Sequence, residues 1–250
     1  MSRRKTANRV LISPVVEWLL GLHRQYQLEL QRVLLSFLTP DLSSALLDCG
    51  CGGGTFTIQI GRALAAKRIV GVDIFDPALV QARTRGIEAI KADLNRPLPL
   101  ESNSFDVVTG NLVIAHLCHT DTFLREVRRV LKSGGYCVLT TPNLSALHNI
   151  LFLLLGRQPL LAQVSDEVAV GSGYFGERCP APGYPLSRRN FAPAGFKGLL
   201  RHHGFHVEAM RGVGFWPLPL PLASLACALD PIHPVYMVLK ARKPVNERAR

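Results

Sequence analysis

Several things are missing from this 250-residue sequence, and each absence removes a class of protein. No run reaches the roughly 20 apolar residues that a helix needs to cross a bilayer. Residues 10–22 are broken by Glu17, residues 150–155 stop at Gly156 and Arg157, and residues 215–229 hold three prolines. The segment after Met1 lacks an apolar stretch followed by a small-residue cleavage site, so no secretory leader is expected. Among Cys49, Cys51, Cys118, Cys137, Cys179 and Cys227 there is one close pair and no second. A four-ligand zinc site wants two such pairs, so no metal site is expected. The cysteines are read as reduced thiols of a cytoplasmic protein. No internal repeat or low-complexity tract is present.

Acids are scarce. Asp and Glu number 18 against 29 Lys and Arg, a net charge of +11. The excess lies in the flanks. Residues 1–40 have six basic and two acidic side chains, residues 143–250 have twelve and six, and the middle is nearly balanced at eleven and ten. Basic flanks attract anionic partners such as nucleic acid, acidic lipid or a phosphorylated metabolite, or are simply solvated. Hydrophobic residues make up 48%, ample for a buried core.

The pattern along the chain gives an α/β fold. Ser13 and Pro14 start a helix over residues 15–38, read as an N-terminal helical extension (1–40). From there short apolar runs alternate with helical patterns. Strands are expected at 45–48, 68–73, 87–91, 105–109 and 136–141, and helices at 56–66, 77–83 and after Thr120 or Asp121. The last of these is capped by one of those two residues and stopped by Gly134 and Gly135. Such alternation implies parallel βαβ units. A further helix is expected within 144–155. Residues 156–190 are irregular and read as a lid or substrate insertion after the fifth strand. A helix at 193–203 and strands at 205–210 and 235–241 follow, with a proline-rich excursion at 216–234. The result is a mostly parallel seven-stranded sheet with an antiparallel edge strand, within one domain at 41–250.

The most informative segment runs Asp48-Cys49-Gly50-Cys51-Gly52-Gly53-Gly54-Thr55, between the first strand and first helix. Glycines there let the backbone turn sharply and approach a ligand. The dinucleotide fingerprint G-x-G-x-x-G fails from Gly50, where Thr55 takes the third place, and from Gly52, where Thr57 does. Asp48 would repel a pyrophosphate and attract a cation. Asp73 stands 19 positions beyond Gly54, about where Rossmann-like folds place an acid for ribose hydroxyls. Asp93 ends the third strand and precedes Leu94. Three acids at three consecutive strand ends converge on one crevice.

With these residues the sequence resembles the class I, Rossmann-like S-adenosylmethionine-dependent methyltransferases, which are doubly wound α/β proteins. The likeness covers about residues 44–143. It implies that Asp48, Gly50, Cys51, Gly52 and Gly54 hold the methionine end, that Asp73 binds the ribose with Ile74 beside the adenine, and that Asp93 and the Leu94 backbone meet the adenine edge. Asn111 opens a loop, Asn111-Leu112-Val113-Ile114-Ala115-His116, that lacks the Asn/Asp-Pro-Pro-aromatic signature of base N-methylation. It looks more like the small-molecule and quinone-biosynthesis branch, in which a His often stands at the place of His116.

The expected activity is therefore methyl transfer to a small-molecule or lipid-linked acceptor, with His116 as candidate base for an oxygen nucleophile. Packing at a helix end is an equally good reading of His116. Tyr174 and Tyr184 are candidate pocket aromatics, Arg178, Arg188 and Arg189 candidate partners of an anionic acceptor, and His119, His202 and His203 surface groups. Two alternatives stay open: an RNA methyltransferase, suggested only by the basic flanks, and a non-catalytic cofactor-binding or membrane-surface protein. Peripheral membrane contact is left open as well.

Overall fold

A computed structural model describes residues 14–159, 162 and 188–245. The strands are β1 (Ala45–Cys49), β2 (Arg68–Asp73), β3 (Glu88–Lys91), β4 (Phe105–Gly110), β5 (Leu131–Pro142), β6 (His206–Val213) and β7 (Tyr236–Arg242). The helices are α1 (Pro14–Ser36), α2 (Thr55–Leu64), α3 (Asp76–Thr84), α4 (Thr120–Val130), α5 (Leu147–Leu154), α6 (Pro193–His202) and α7 (Leu220–Leu229). The seven strands form one sheet in the order β3-β2-β1-β4-β5-β7-β6. Neighbours from β3 to β5 are parallel, and β7 runs antiparallel to both β5 and β6. The antiparallel pairing expected at that end of the sheet is present, with β6 outermost.

Both faces of the sheet are covered, which is why β1 reads as a nearly continuous apolar run rather than an alternation. Leu47 and Cys49 join one core with Phe123, Leu124 and Val127 of α4 and Phe196 and Leu200 of α6. Leu46 joins the other with Tyr26, Leu30 and Leu34 of α1 and Ile60 and Leu64 of α2. The strand order reverses between β1 and β4. At such a switch point the connecting segments leave toward opposite faces and open a crevice beyond the strand ends.

Three local expectations change. The N-cap of α4 is His119, with no side-chain cap bond, rather than Thr120 or Asp121. The Asp121 carboxylate instead meets Nε2 of His203 at 2.8 Å, and the His203 side chain is only 7% exposed rather than on the surface. α4 also stops at Val130, ahead of Gly134 and Gly135. Those glycines serve β5, whose pairing with β4 shifts register between Phe105 and Val107. A Cβ on Gly135 would lie 2.9 Å from the Asp106 carbonyl oxygen. Finally, the proline-rich excursion contains α7, with proline in its first turn, where a missing N–H costs nothing.

The β3–β4 connection is fastened to α4 by one buried acid. Glu126 is 8% exposed and its Oε2 accepts the Leu98 N–H at 2.6 Å. The same carboxylate holds Arg129, whose guanidinium donates to the Leu98 and Leu100 carbonyls. Glu126→Ala strands a buried amide and a half-buried cation together. The expected loss is about 2–4 kcal/mol of unfolding free energy, with Glu126→Gln milder, by urea denaturation.

Candidate cofactor site

The loop leaving β1 depends on its glycines. Gly50, Gly52 and Gly54 have φ of 77°, 51° and 82°, in the left-handed region that a Cβ makes costly. A Cβ on Gly54 would also sit 2.4 Å from Ile87 Cδ1, whereas one on Gly52 would meet nothing within 4 Å. The loop thus packs tightly below and leaves space above Gly52. The N–H groups of Gly50 and Cys51 both donate to the Val72 carbonyl, at 2.7 and 3.1 Å. The Cys51 side chain is buried with Leu79, Ala82 and Ile87, and burial pushes its thiol up to about 12. Only its backbone borders the loop. α2 begins at Thr55 without a side-chain cap, so its leading N–H groups have no side-chain partner there.

The three acids differ in kind. Asp48, the penultimate residue of β1, is 4% exposed. Its Oδ2 accepts the Thr57 hydroxyl at 2.6 Å and its Oδ1 accepts the Thr109 hydroxyl at 2.7 Å. Burial raises its pKa to about 6 despite those two donors, and the Asp73 charge adds to the rise. Asp73 ends β2 at the crevice. Its Oδ2 accepts the Gly52 N–H at 2.9 Å and its Oδ1 the Phe75 N–H at 3.0 Å. The next two side chains, Ile74 and Phe75, are 62% and 60% exposed. Asp93 lies two residues beyond the end of β3, in a turn, instead of ending the strand. Its Oδ1 accepts both the backbone N–H and the side-chain amide of Asn95, each at 2.9 Å. The Leu94 side chain turns into the core.

The loops are then joined to one another. Ala92 donates its N–H to the Asp73 carbonyl at 3.1 Å, and Asn95 Oδ1 accepts the N–H groups of Cys118 and His119. After β4, the Thr140 hydroxyl donates to Asn111 Oδ1 at 2.8 Å, and Thr140 Oγ1 accepts the Leu112 N–H at 2.8 Å. Leu112 is held at φ 58°, costly for a leucine. His116 closes a 3₁₀ turn, Ile114–His116, and its buried Nδ1 has no hydrogen-bond partner among the described residues. The Ala115 carbonyl next to it accepts the N–H groups of Arg188 and Arg189, at 2.7 and 2.9 Å. Arg189 also donates to the Cys118 carbonyl. Residues 163–187 of the expected lid, with Tyr174, Arg178 and Tyr184, lie outside the described residues.

Asp48, the three loop glycines, Asp73, Ile74, Asp93, Asn111 and His116 are thus all borne at the carboxyl ends of β1 to β4. Thr57, Thr109, Asn95 and Thr140, which hold them, were not anticipated. The parallel register sets Thr109 directly beside Asp48, and a buried threonine on a central strand always needs a partner. That was the available signal. The site suits a cationic nucleoside. Asp73 keeps lone pairs after its two backbone bonds, which suits vicinal hydroxyls, and Ile74 and Phe75 offer apolar surface to a base. Residues 48–56 contain no Lys or Arg and one acid, the buried Asp48, a poor setting for a pyrophosphate.

Residues 47–139 match the family described as "Methyltransferase domain". A probable S-adenosylmethionine-dependent methyltransferase of Mycobacterium tuberculosis is 34% identical over 122 residues, 48% of this chain and 42% of that protein. The mitochondrial ubiquinone biosynthesis O-methyltransferase of Mus musculus is 30% identical over 185 residues, 69% of this chain and 44% of that protein. The chain spans less than half the length of these two relatives. The crystal structure of an S-adenosylmethionine-dependent methyltransferase from Mesorhizobium loti superposes with a TM-score of 0.59 at 21% identity. It covers 89% of this chain and 100% of that one, a likeness of fold.

A carboxyl group whose pKa is higher folded than unfolded binds a proton on folding. The cost of burying the Asp48 charge is therefore full above about pH 6 and fades toward pH 4. Asp48→Asn should stabilise the protein at pH 7 by up to about 3 kcal/mol, with the gain shrinking near pH 4, in denaturant titrations at both pH values. An unchanged midpoint at pH 7 would mean that the buried Asp48 charge costs the fold nothing net.

Proposed function

Because its Rossmann-like domain belongs to the class I S-adenosylmethionine-dependent methyltransferase family, we propose that this chain transfers a methyl group to a small-molecule or lipid-linked acceptor through an oxygen or nitrogen nucleophile. The observation that carries this reading is the Gly52–Asp73 junction. There a half-exposed carboxylate is fixed by two backbone N–H groups beside an open loop. When bound, S-adenosylmethionine supplies a methyl carbon already activated by a sulfonium.

The chain's own residues do the rest by placement. Asp73 accepts hydrogen bonds from ribose hydroxyls, and Ile74 with the Asp93–Asn95 turn flanks the base. Asp48 reaches no ligand directly. Its buried charge sets a negative potential beneath the glycine loop, which favours a cationic ligand over a neutral or anionic one. Asn111, Leu112 and Thr140 fix the exit from β4, where the acceptor approaches. Orientation of this kind is a large share of what a displacement at an activated carbon requires. His116, whose buried Nδ1 has no hydrogen-bond partner among the described residues, is the candidate to take the proton of an acceptor hydroxyl. The mouse relative named for O-methylation in ubiquinone biosynthesis supports a small or lipid-linked acceptor.

Two variants separate binding from chemistry. Asp73→Ala should weaken S-adenosylhomocysteine binding roughly ten- to a hundred-fold by calorimetry, since it removes hydrogen bonds to a charged acceptor. An unchanged Kd in the folded variant removes Asp73 from the site. His116→Ala should lower kcat by about 100-fold or more while leaving that Kd unchanged. Equal kcat values in the two proteins would reduce His116 to a packing residue.

A further inference from the structure

α5 and α7 bury the wrong side chains for helices that face water. α5 turns His148 and Asn149 inward, 6% and 3% exposed, beside Phe152. It leaves Leu147, Leu151 and Leu154 outside at 38%, 50% and 78%, a stripe at helical spacing, with Leu155 at 73% just beyond. α7 buries Ala223 and exposes Leu222, Leu225 and Leu229, again on one stripe, at 54%, 59% and 79%. Neither helix contains a charged residue. A water-facing helix normally shows the reverse pattern.

Both helices stand at the same end of the fold as the glycine loop. α5 follows the carboxyl end of β5. α7 joins the end of β6 to the start of β7, and the antiparallel course of β7 puts that start at the same end. The two are joined there: Leu147 donates its N–H to the His233 carbonyl, and Asn143 donates to the carbonyls of Ile232 and Pro234. Ile232, in the loop between α7 and β7, is 52% exposed as well.

We infer that α5 and α7 form a membrane-docking face that rests in the headgroup region of an anionic bilayer, with the crevice opening toward the lipid. The inference rests on the proposed function only in that a lipid-linked acceptor would then be presented where the crevice opens. Neither helix spans a bilayer: no described helix is long and apolar enough to cross one. Leucine stripes lying in the interface plane with basic residues around them fit an interfacial anchor. The charge around the face agrees. Arg157, three residues beyond α5, is exposed, as is Arg189, two residues before Phe191, whose carbonyl accepts the Leu144 N–H just ahead of α5. Among the described residues, the acid that adjoins these helices in the chain is Asp230, which is bonded to His233. A protein-binding patch would mix aromatic, Met and Arg side chains into its centre, and these stripes do not.

Flotation of the full chain with unilamellar vesicles tests this. The chain should float with vesicles containing phosphatidylglycerol and less with phosphatidylcholine alone, and added salt should weaken the binding. Leu151→Glu with Leu154→Glu, and separately Leu225→Glu with Leu229→Glu, should each lower the partition coefficient at least about tenfold. Their melting temperature and affinity for S-adenosylhomocysteine should stay as in the parent. Leu42→Glu is the control: Leu42 is 81% exposed but lies in the turn before β1, at the opposite end. A chain that stays with neither vesicle overturns the proposal, as does equal loss of binding in Leu42→Glu. A dimer that the helix variants dissolve, with no flotation, overturns it in favour of a second copy. Cofactor affinity is read apart from flotation, so failure to bind S-adenosylhomocysteine refutes the methyl-transfer reading and leaves the docking face standing.

Discussion

Asp48 puts a carboxylate into the interior of a sheet, and the surroundings are arranged to meet its demands. Ionised carboxylates are expensive to bury without donors. Here the donors come from two separate elements, Thr57 on α2 and Thr109 on β4. Satisfying one side chain therefore fixes the first turn of α2 and the register of β4 against β1. Those two placements flank the crevice, and the glycine loop connects β1 to α2 within it. The energetic cost shows in a pKa raised to about 6. A residue that lowers stability yet organises three elements is better explained by the ligand it favours than by the fold it strains.

The crevice is held by hydrogen bonds between loops more than by apolar packing. Gly52 to Asp73, Ala92 to Asp73, and Asn95 to Cys118 and His119 make a chain of contacts from the first strand to the 3₁₀ turn after the fourth. Each link uses a backbone N–H as donor; the Ala92 link is wholly backbone, and the others need the Asp73 and Asn95 side chains as acceptors. The apolar cores beneath keep the strands in place, and the polar chain above keeps the loops in register. A ligand touching any one loop is then coupled to the others.

How much of this could be read from the sequence follows from the range of the forces involved. The strands, the glycine loop and Asp73 were legible because their causes are local: apolar runs, φ requirements and fixed spacing from Gly54. The helix α1 was legible from its apolar period, and it ends at Ser36, two residues short of the expected limit. What escaped depends on partners distant in the chain. Asp121 reads as a helix cap, but His203, 82 residues away, draws its carboxylate elsewhere. Gly134 and Gly135 read as a helix stop, whereas they accommodate a bulge against β4. The proline-rich excursion at 216–234 was assigned no element, and it contains α7, with one proline in the first turn, where proline is tolerated. Thr57 and Thr140 drew no attention because their acceptors are distant in the chain or unremarkable in sequence, and Thr109 signals a partner only once its register beside Asp48 is known.

β7 lies between β5 and β6 and is antiparallel to both. During synthesis β6 leaves the ribosome before β7 does, yet β6 has no hydrogen-bonding partner in the sheet until β7 is in place. A sheet assembled without β7 would therefore leave two strand edges, those of β5 and β6, unpaired. An edge of that kind invites pairing with another chain. The last strand acts as a keystone: its arrival closes both edges at once, which ties the acquisition of the native sheet to the completion of translation through Arg242.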